Sequence, residues 1–257
     1  MKLTVADMTV AVRQVRLLLF GFLLAGVACR RAEAQAAEGR LVFKAHAPTQ
    51  KVHPGMMPLG LDSVRDGFLL VPHDNAARHP APLLVLLHGA TQRARLFERF
   101  APLADSLDVA ILAVDSRAMT WDAVRDTFGP DVEFLQRAIG RSFDRAYIDS
   151  CRVVIGGFSD GASYALSLGI RNADVFHGVV AFSPGFVIPA PNPQKVPVFL
   201  RHGVRDQILA IESTSRPILN ALRAEHFDVD YAEFDGPHTI RPLDGRASLE
   251  WVKERTC

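Results

Sequence analysis

A single serine stands between two glycines at the point where a predicted strand gives way to a predicted helix. The strand is the apolar run Val153–Ile155, and Ser159 lies between Gly157 and Gly161, after which a helical pattern begins. Glycines allow so sharp a turn, which holds the serine in a strained conformation. The unpaired N–H groups at the start of a helix stabilise a developing oxyanion. Ser159 is therefore a candidate nucleophile.

A serine hydroxyl becomes a good nucleophile only when a base removes its proton, so the chain must also supply a histidine oriented by a carboxylate. In a strand–turn–helix arrangement the acid and then the histidine follow the serine along the chain. Asp206 comes just after the apolar run 196–200, and His238 just after the predicted strand 229–234. We expect Asp206 to orient His238, which takes the serine proton and later delivers it to the leaving group.

Other residues compete for these two roles. His202 also follows a strand, but it precedes Asp206 and so breaks the expected order. Asp235 is the alternative acid, although its closeness to His238 in sequence is more typical of a turn residue. The order along the chain therefore favours Asp206 and His238.

An oxyanion hole needs two backbone N–H groups, one from the residue after the nucleophile and one from a loop after an earlier strand. The residue after the serine is Asp160, and an apolar run ends in His88-Gly89. We predict Asp160 and Ala90 as the two donors, with Thr91 as the alternative to Ala90. We expect His88 to pack inside its loop and to take no part in the chemistry.

The elements that must position these residues are continuous apolar runs separated by helical patterns. Such runs are strands buried on both faces, and strands that alternate with helices form a mostly parallel sheet covered on both sides. The predicted strands are 68–71, 83–87, 109–114, 153–155, 179–182, 196–200 and 229–234, and the predicted helices are 94–107, 131–143, 161–171, 212–226 and 245–255. This α/β arrangement brings the serine, the acid and the histidine to the carboxyl edge of the sheet, where parallel sheets build their sites.

The cleft at this edge is predicted to be open. The segment 183–196 between two predicted strands is short, and its prolines exclude a helix that could cover the cleft. The side chains of Trp121, Phe158 and Phe186 fall in loops near the expected mouth and are candidates for a substrate pocket. Ordinary apolar packing is the alternative for each of them.

The composition indicates which partners to expect. The chain carries 29 basic and 28 acidic side chains, so its charge is nearly balanced and nucleic acid is not an expected partner. The sequence contains neither a metal-ligand spacing nor a phosphate-binding loop, and we expect no metal and no cofactor.

The motifs together resemble those of the α/β-hydrolase superfamily over roughly residues 65–255. The resemblance lies in Leu87-His88-Gly89, Gly157-Phe158-Ser159-Asp160-Gly161, His202-Gly203 with Asp206, and Gly236-Pro237-His238. Within the superfamily the chain is similar to the phospholipase/carboxylesterase group and to secreted feruloyl esterase and polyhydroxyalkanoate depolymerase-like esterases. The loop after Gly89 lacks the further glycine that is common there.

The resemblance implies metal-independent cleavage of a carboxylic ester through an acyl-enzyme, with Ser159, Asp206 and His238 at the matching positions. The expected substrate is a small-molecule or polymer-borne ester that reaches an open site. A serine peptidase or amidase on the same fold is one alternative, and a non-catalytic binding protein that kept the fold is another.

The N-terminus has the pattern of an export signal. Arg13 and Arg16 precede the apolar run 17–28, which is too short to span a bilayer comfortably. Small residues favour cleavage before Gln35; alternatively, Cys29 is lipidated and attaches the protein to a membrane. An uncleaved anchor or a core helix is a further alternative. The predicted divisions are a signal peptide at 1–34, an irregular segment at 35–64 and the α/β-hydrolase domain at 65–257.

Export to the periplasm or the cell exterior would change the meaning of the cysteines. An oxidising compartment allows Cys151 and Cys257 to form a disulfide, and two unpaired thiols are the alternative.

Overall fold

The computed structural model describes residues 33–256, in which eight strands form one sheet. The sheet order is β1-β2-β4-β3-β5-β6-β7-β8. Strands β1 and β2 join it antiparallel, and every other neighbouring pair is parallel. The strands are β1 (Gly55–Pro58), β2 (Gly67–Val71), β3 (Ala81–Leu87), β4 (Ala110–Val114), β5 (Ile148–Phe158), β6 (Val179–Phe182), β7 (Val198–Gly203) and β8 (Val229–Phe234). The predicted mostly parallel α/β sheet is confirmed.

Helices cover both faces of this sheet. The α-helices are α1 (Ala101–Ser106), α2 (Asp122–Arg125), α3 (Pro130–Arg145), α4 (Asp160–Gly169), α5 (Ser215–Ala224) and α6 (Pro242–Lys253), and 3-10 helices span His73–Ala77 and Ala94–Phe100. Strand β3 shows how the two faces divide. Leu83, Val85 and Leu87 enter one apolar cluster, whereas Leu84 and Leu86 enter the other. Successive side chains of a strand point to opposite faces, so a strand buried on both sides must be apolar throughout.

Three of the differences from the prediction have a clear origin in the sequence or the strand pairing. The helix predicted at 94–107 is a 3-10 helix followed by α1, with Pro102 in the first turn of α1, where a missing N–H costs nothing. Strand β5 extends far beyond the apolar run 153–155. Its first five residues are at most partly buried, so no apolar run marks them in the sequence. The segment 35–64 is not irregular throughout, since it contributes β1 through pairing with β2.

The connection between β6 and β7 contains no helix within the described part of the chain, as predicted. Residues 183–197 are instead irregular, with neither helix nor strand. No helical lid therefore forms at this point of the fold.

The ends of the chain are only partly described. Most of the predicted signal peptide, including Cys29, lies outside residues 33–256, and so does Cys257. Cys151 forms a disulfide. Its neighbour Arg152 donates a hydrogen bond of 3.4 Å to the carbonyl of Lys253 at the end of α6. Because the C-terminal helix ends beside Cys151, pairing with Cys257 stays the favoured prediction. Within the described range, every helix is too short or too polar to cross a bilayer.

Candidate active site

The turn between β5 and α4 holds Ser159 in a strained backbone conformation. Its φ of 57° and ψ of −123° lie in a region that residues with side chains rarely adopt. The two flanking glycines allow the close approach that this turn requires. A Cβ on Gly157 would lie 2.4 Å from the backbone of Gly161, and a Cβ on Gly161 would lie 2.0 Å from the Leu87 carbonyl oxygen. Strand β3 and helix α4 thus meet at the serine only because both positions lack side chains.

Asp206 and His238 come together from the ends of β7 and β8. The distance from His238 Nδ1 to Asp206 Oδ2 is 2.5 Å, and the Asp206 carboxylate is fully buried. Its other oxygen accepts the N–H groups of Ile208 and Leu209 at 2.9 and 2.8 Å. Burial raises the pKa of Asp206, but these hydrogen bonds outweigh burial and bring its pKa below the ordinary value. Asp206 therefore stays ionised, and it orients His238 as a negatively charged hydrogen-bond acceptor.

His238 lies beside the serine turn without contacting the hydroxyl. Its ring packs on that of Phe158, with 4.6 Å between the centroids. Among the hydrogen bonds of residues 33–256, none joins Ser159 Oγ to His238. Such bonds are often long before substrate arrives and tighten in the complex, so the arrangement suits a base that engages on binding.

The predicted oxyanion donors can be examined through the hydrogen-bond partners of their backbone N–H groups. Asp160 is the first residue of α4, where an N–H has no intrahelical acceptor. Thr91 donates its N–H to the carbonyl of Met119 at 2.8 Å, whereas within the described residues the Ala90 N–H has no such partner. The neighbouring Gly89 approaches the serine closely, since a Cβ there would lie 3.1 Å from Ser159 Cβ. The geometry therefore favours Ala90 over Thr91 as the second donor.

His88 packs inside its loop, as expected. Its Nε2 accepts the N–H of Ser116 at 3.0 Å, so Nδ1 must carry the proton and donates it to the Gly89 carbonyl at 2.7 Å. The ring is fully buried, and burial lowers its pKa. A neutral histidine with both nitrogens engaged supports the loop and has none left for a substrate.

The three candidate pocket residues lie at different depths. Trp121 is fully buried behind the loop, donates from Nε1 to the His88 carbonyl at 2.8 Å and stacks on Tyr164. Phe158 is buried against His238, while Phe186 is 36% exposed. Their roles toward a substrate stay predictions. Of the three, Phe186 is open to an incoming molecule.

The rival acid pairs with an arginine and not with His238. Asp235 is exposed and pairs with Arg205 at 2.9 Å. Within the described residues no group of three metal-binding side chains occurs.

A buried carboxylate pair behind the site had no recognisable signal in the sequence. Asp131, in the first turn of α3, accepts the N–H of Asp122 at 2.7 Å, and Asp122 accepts the N–H of Asp131 at 2.8 Å. Asp131 also accepts the N–H of Arg117, and Tyr164 donates its hydroxyl to Asp122. Burial, followed by the charge of Asp122, raises the pKa of Asp131 to about 6. The pair fixes the loop that carries Trp121 behind the oxyanion donors.

This pair should make stability depend on pH. The pKa of Asp131 is higher in the folded chain than in the unfolded one, so protonation stabilises the fold and this contribution is lost as pH rises through about 6. Relative to Asp131→Asn, which cannot titrate, the wild type should gain about 1 kcal/mol of unfolding free energy between pH 7 and pH 5. Urea denaturation of both proteins at several pH values measures this, and a difference that stays constant with pH would contradict it.

Several known proteins are similar to this chain. Residues 120–240 match the family described as phospholipase/carboxylesterase. A putative esterase from Nocardia uniformis subsp. tsuyamanensis is 28% identical over 148 residues, which cover 52% of this chain and 42% of the relative. Acyl-protein thioesterase 1 of Yarrowia lipolytica is 29% identical over 120 residues, 42% of this chain and 52% of the relative. The matched segments thus span about half the length of these relatives.

Solved structures extend the likeness over most of the described chain. The Bacillus cereus carboxylesterase superposes with a TM-score of 0.58 at 19% identity and covers 75% of this chain and 95% of its own. S-formylglutathione hydrolase from Staphylococcus aureus gives 0.64 at 13% identity, over 79% of this chain and all of its own. At these identities the likeness concerns the fold alone. The shared sheet, together with the serine turn between β5 and α4, gives this chain the α/β-hydrolase fold.

Proposed function

We propose that this protein is a serine hydrolase that cleaves carboxylic esters through an acyl-enzyme. The observation that carries the proposal is the strained Ser159 turn beside a buried Asp206–His238 pair. The names of the similar proteins, an esterase and an acyl-protein thioesterase, support a carbonyl substrate of the ester or thioester type. Of these two substrate types, we propose the carboxylic ester.

The geometry supports the following chemistry. His238 Nε2 removes the hydroxyl proton of Ser159 as Oγ attacks the carbonyl carbon, while Asp206 holds the opposite ring N–H. The negative oxygen that forms accepts hydrogen bonds from the backbone N–H groups of Asp160 and Ala90. The tetrahedral intermediate collapses, and His238 gives its proton to the leaving alcohol. Water then repeats the sequence on the acyl-enzyme, which releases the acid and restores the serine.

One probe and two kinds of substrate distinguish the ester hydrolase from the amidase and binding-protein alternatives. A fluorophosphonate probe should label the protein at Ser159, and short p-nitrophenyl esters should be turned over, while the matching p-nitroanilides should react far more slowly. Preferential cleavage of anilides would favour the amidase alternative. Neither labelling nor turnover would leave the binding-protein alternative and refute the hydrolase proposal.

An apolar groove of about 520 Å³ beside the cleft is our candidate for the acyl chain. It runs between the segment 185–193 and helix α5. Gly185, at the end nearest the site, donates its N–H to Ser163 Oγ at 2.9 Å, and Ser163 lies one helical turn after Ser159. The apolar part of the lining includes Phe186, Val187, Ile218, Ala221, Leu222 and Phe227. We propose that a long acyl chain leaves the serine over Gly185 and enters this groove.

Filling the groove should change chain-length preference. Ala221→Trp should lower kcat/KM for p-nitrophenyl laurate at least about ten-fold, since two methylene groups left unburied cost roughly 1.6 kcal/mol. The acetate ester is too short to reach the groove, so its kcat/KM should stay within about two-fold. Asn220→Trp is the matched control, because Asn220 is exposed on the same helix and does not line the groove. Equal loss on both esters would contradict the proposal.

We also propose that the protein is exported with Cys151 paired to Cys257. The disulfide at Cys151 supports an oxidising compartment, where such bonds persist. A non-reducing peptide map of protein recovered from the periplasm and medium tests both points. A mature chain that starts at Gln35, with the peptides of Cys151 and Cys257 linked, is expected. Protein found only in the cytoplasm, or a free Cys257 thiol, would refute export or the pairing respectively.

A further inference from the structure

A second histidine contacts the carboxylate of Asp206. His202 lies at the end of β7, and its side chain is fully buried. Its Nε2 is 3.0 Å from Asp206 Oδ2 and 2.8 Å from the Leu209 carbonyl oxygen. Its Nδ1 is 2.6 Å from Ser215 Oγ at the start of α5.

These contacts determine the position of the proton on His202. Nε2 faces a carboxylate and a carbonyl, which can only accept, so Nε2 must carry the hydrogen. Nδ1 then accepts from the Ser215 hydroxyl. Burial lowers the pKa of His202, which keeps the ring neutral. The Nε2–H is thus shared between the Leu209 carbonyl and Asp206 Oδ2.

We propose that His202 is a positioning residue for ester cleavage, one that fixes Asp206 Oδ2 for His238 through its Nε2–H. The inference rests on the hydrolase function proposed above. Asp206 accepts hydrogen bonds from the backbone of Ile208 and Leu209 at Oδ1 and from His238 at Oδ2, and the Nε2–H of His202, which also meets the Leu209 carbonyl, lies 3.0 Å from Oδ2. With His202 in place, the carboxylate cannot rotate about its Cβ–Cγ bond without losing a buried hydrogen bond.

Loss of the Nε2–H should alter the base as well as the rate. Oδ2 would keep only one donor and would interact more strongly with an imidazolium beside it, so the acid limb of the kcat/KM profile should move to higher pH. A freer carboxylate should also lower kcat, because His238 is held less well.

Other charged groups near His202 and Asp206 should not account for a change in the acid limb. Glu233 on β8 lies near His202 but is neutralised by Arg216 at 2.8 Å. Arg205 and Asp235 pair with each other at the rim. None of these residues changes in the variants below.

Two substitutions with opposite expectations test the proposal. In His202→Asn the shorter amide can still reach Ser215 but leaves Asp206 Oδ2 without its second donor. We expect its kcat for p-nitrophenyl acetate to fall about ten-fold, with KM nearly unchanged and the acid limb raised by about half a pH unit. In His202→Gln the longer amide reaches the position of Nε2, so both values should stay close to those of the wild type. Ser215→Ala should also leave the acid limb in place.

A spectroscopic readout keeps the test independent of turnover. The low-field proton resonance of the His238 Nδ1–H should shift in His202→Asn and stay in place in His202→Gln, and thermal melting verifies that each variant is folded. An Asn variant with the wild-type acid limb and resonance would overturn the proposal, as would a Gln variant that behaves like the Asn variant. Fluorophosphonate labelling of the wild type at Ser159 tests the hydrolase function separately, so failure of one is distinguishable from failure of the other.

Discussion

Replacement of Ser159 by alanine should lower kcat for p-nitrophenyl acetate by at least about three orders of magnitude. The variant lacks the oxygen that we propose forms the acyl-enzyme, so the remaining rate comes from the oxyanion donors and from substrate binding. KM should change little, because the hydroxyl contributes little to ground-state binding. Alanine has the same backbone preferences as serine at a φ of 57°, so the turn itself should persist.

The control for this experiment is Ser106→Ala, which removes an exposed hydroxyl from α1. It should label with fluorophosphonate and turn over ester like the wild type, whereas Ser159→Ala should not label. If Ser159→Ala kept more than about a tenth of the wild-type rate, another residue would have to be the nucleophile.

The sequence was informative where local pattern and tertiary structure agree. Continuous apolar runs are required of strands buried on both faces, so the runs that became β3, β4 and β6 could be located from their residues alone. The serine turn was recognisable because its glycines are required by backbone contacts with Leu87 and with each other. The glycines of the motif and the close packing of β3 against α4 therefore have the same steric cause.

Other features depend on partners that are distant in sequence. The edge strand β1 is four residues long and is defined by its pairing with β2, which its own residues do not indicate. The choice between Ala90 and Thr91 depends on the Met119 carbonyl, which takes the Thr91 N–H. His202 illustrates the limit best. Its position before Asp206 argued against a role as base, but chain order gives no information about the partner of a buried side chain.

The acid offers the second large effect, because Asp206→Asn should lower kcat by roughly three to four orders of magnitude without a loss of volume. With its oxygen held by the N–H groups of Ile208 and Leu209, the new amide would direct its NH₂ group at His238 Nδ1. A ring nitrogen that faces a donor must accept, so His238 would carry its proton on Nε2 and could no longer take one from the serine.

Asp235→Asn is the matched control, since it makes the same chemical change at the rival acid nearest to the histidine in sequence. Asp235 is exposed and paired with Arg205, so this variant should keep kcat within about two-fold of the wild type. A steady-state assay of both variants, with fluorophosphonate labelling rates as a second measure, decides between the two carboxylates. A large loss in Asp235→Asn with little change in Asp206→Asn would transfer the role of the acid to Asp235. Because the buried carboxylate directly contacts His238 and the exposed one binds an arginine instead, we expect the opposite result.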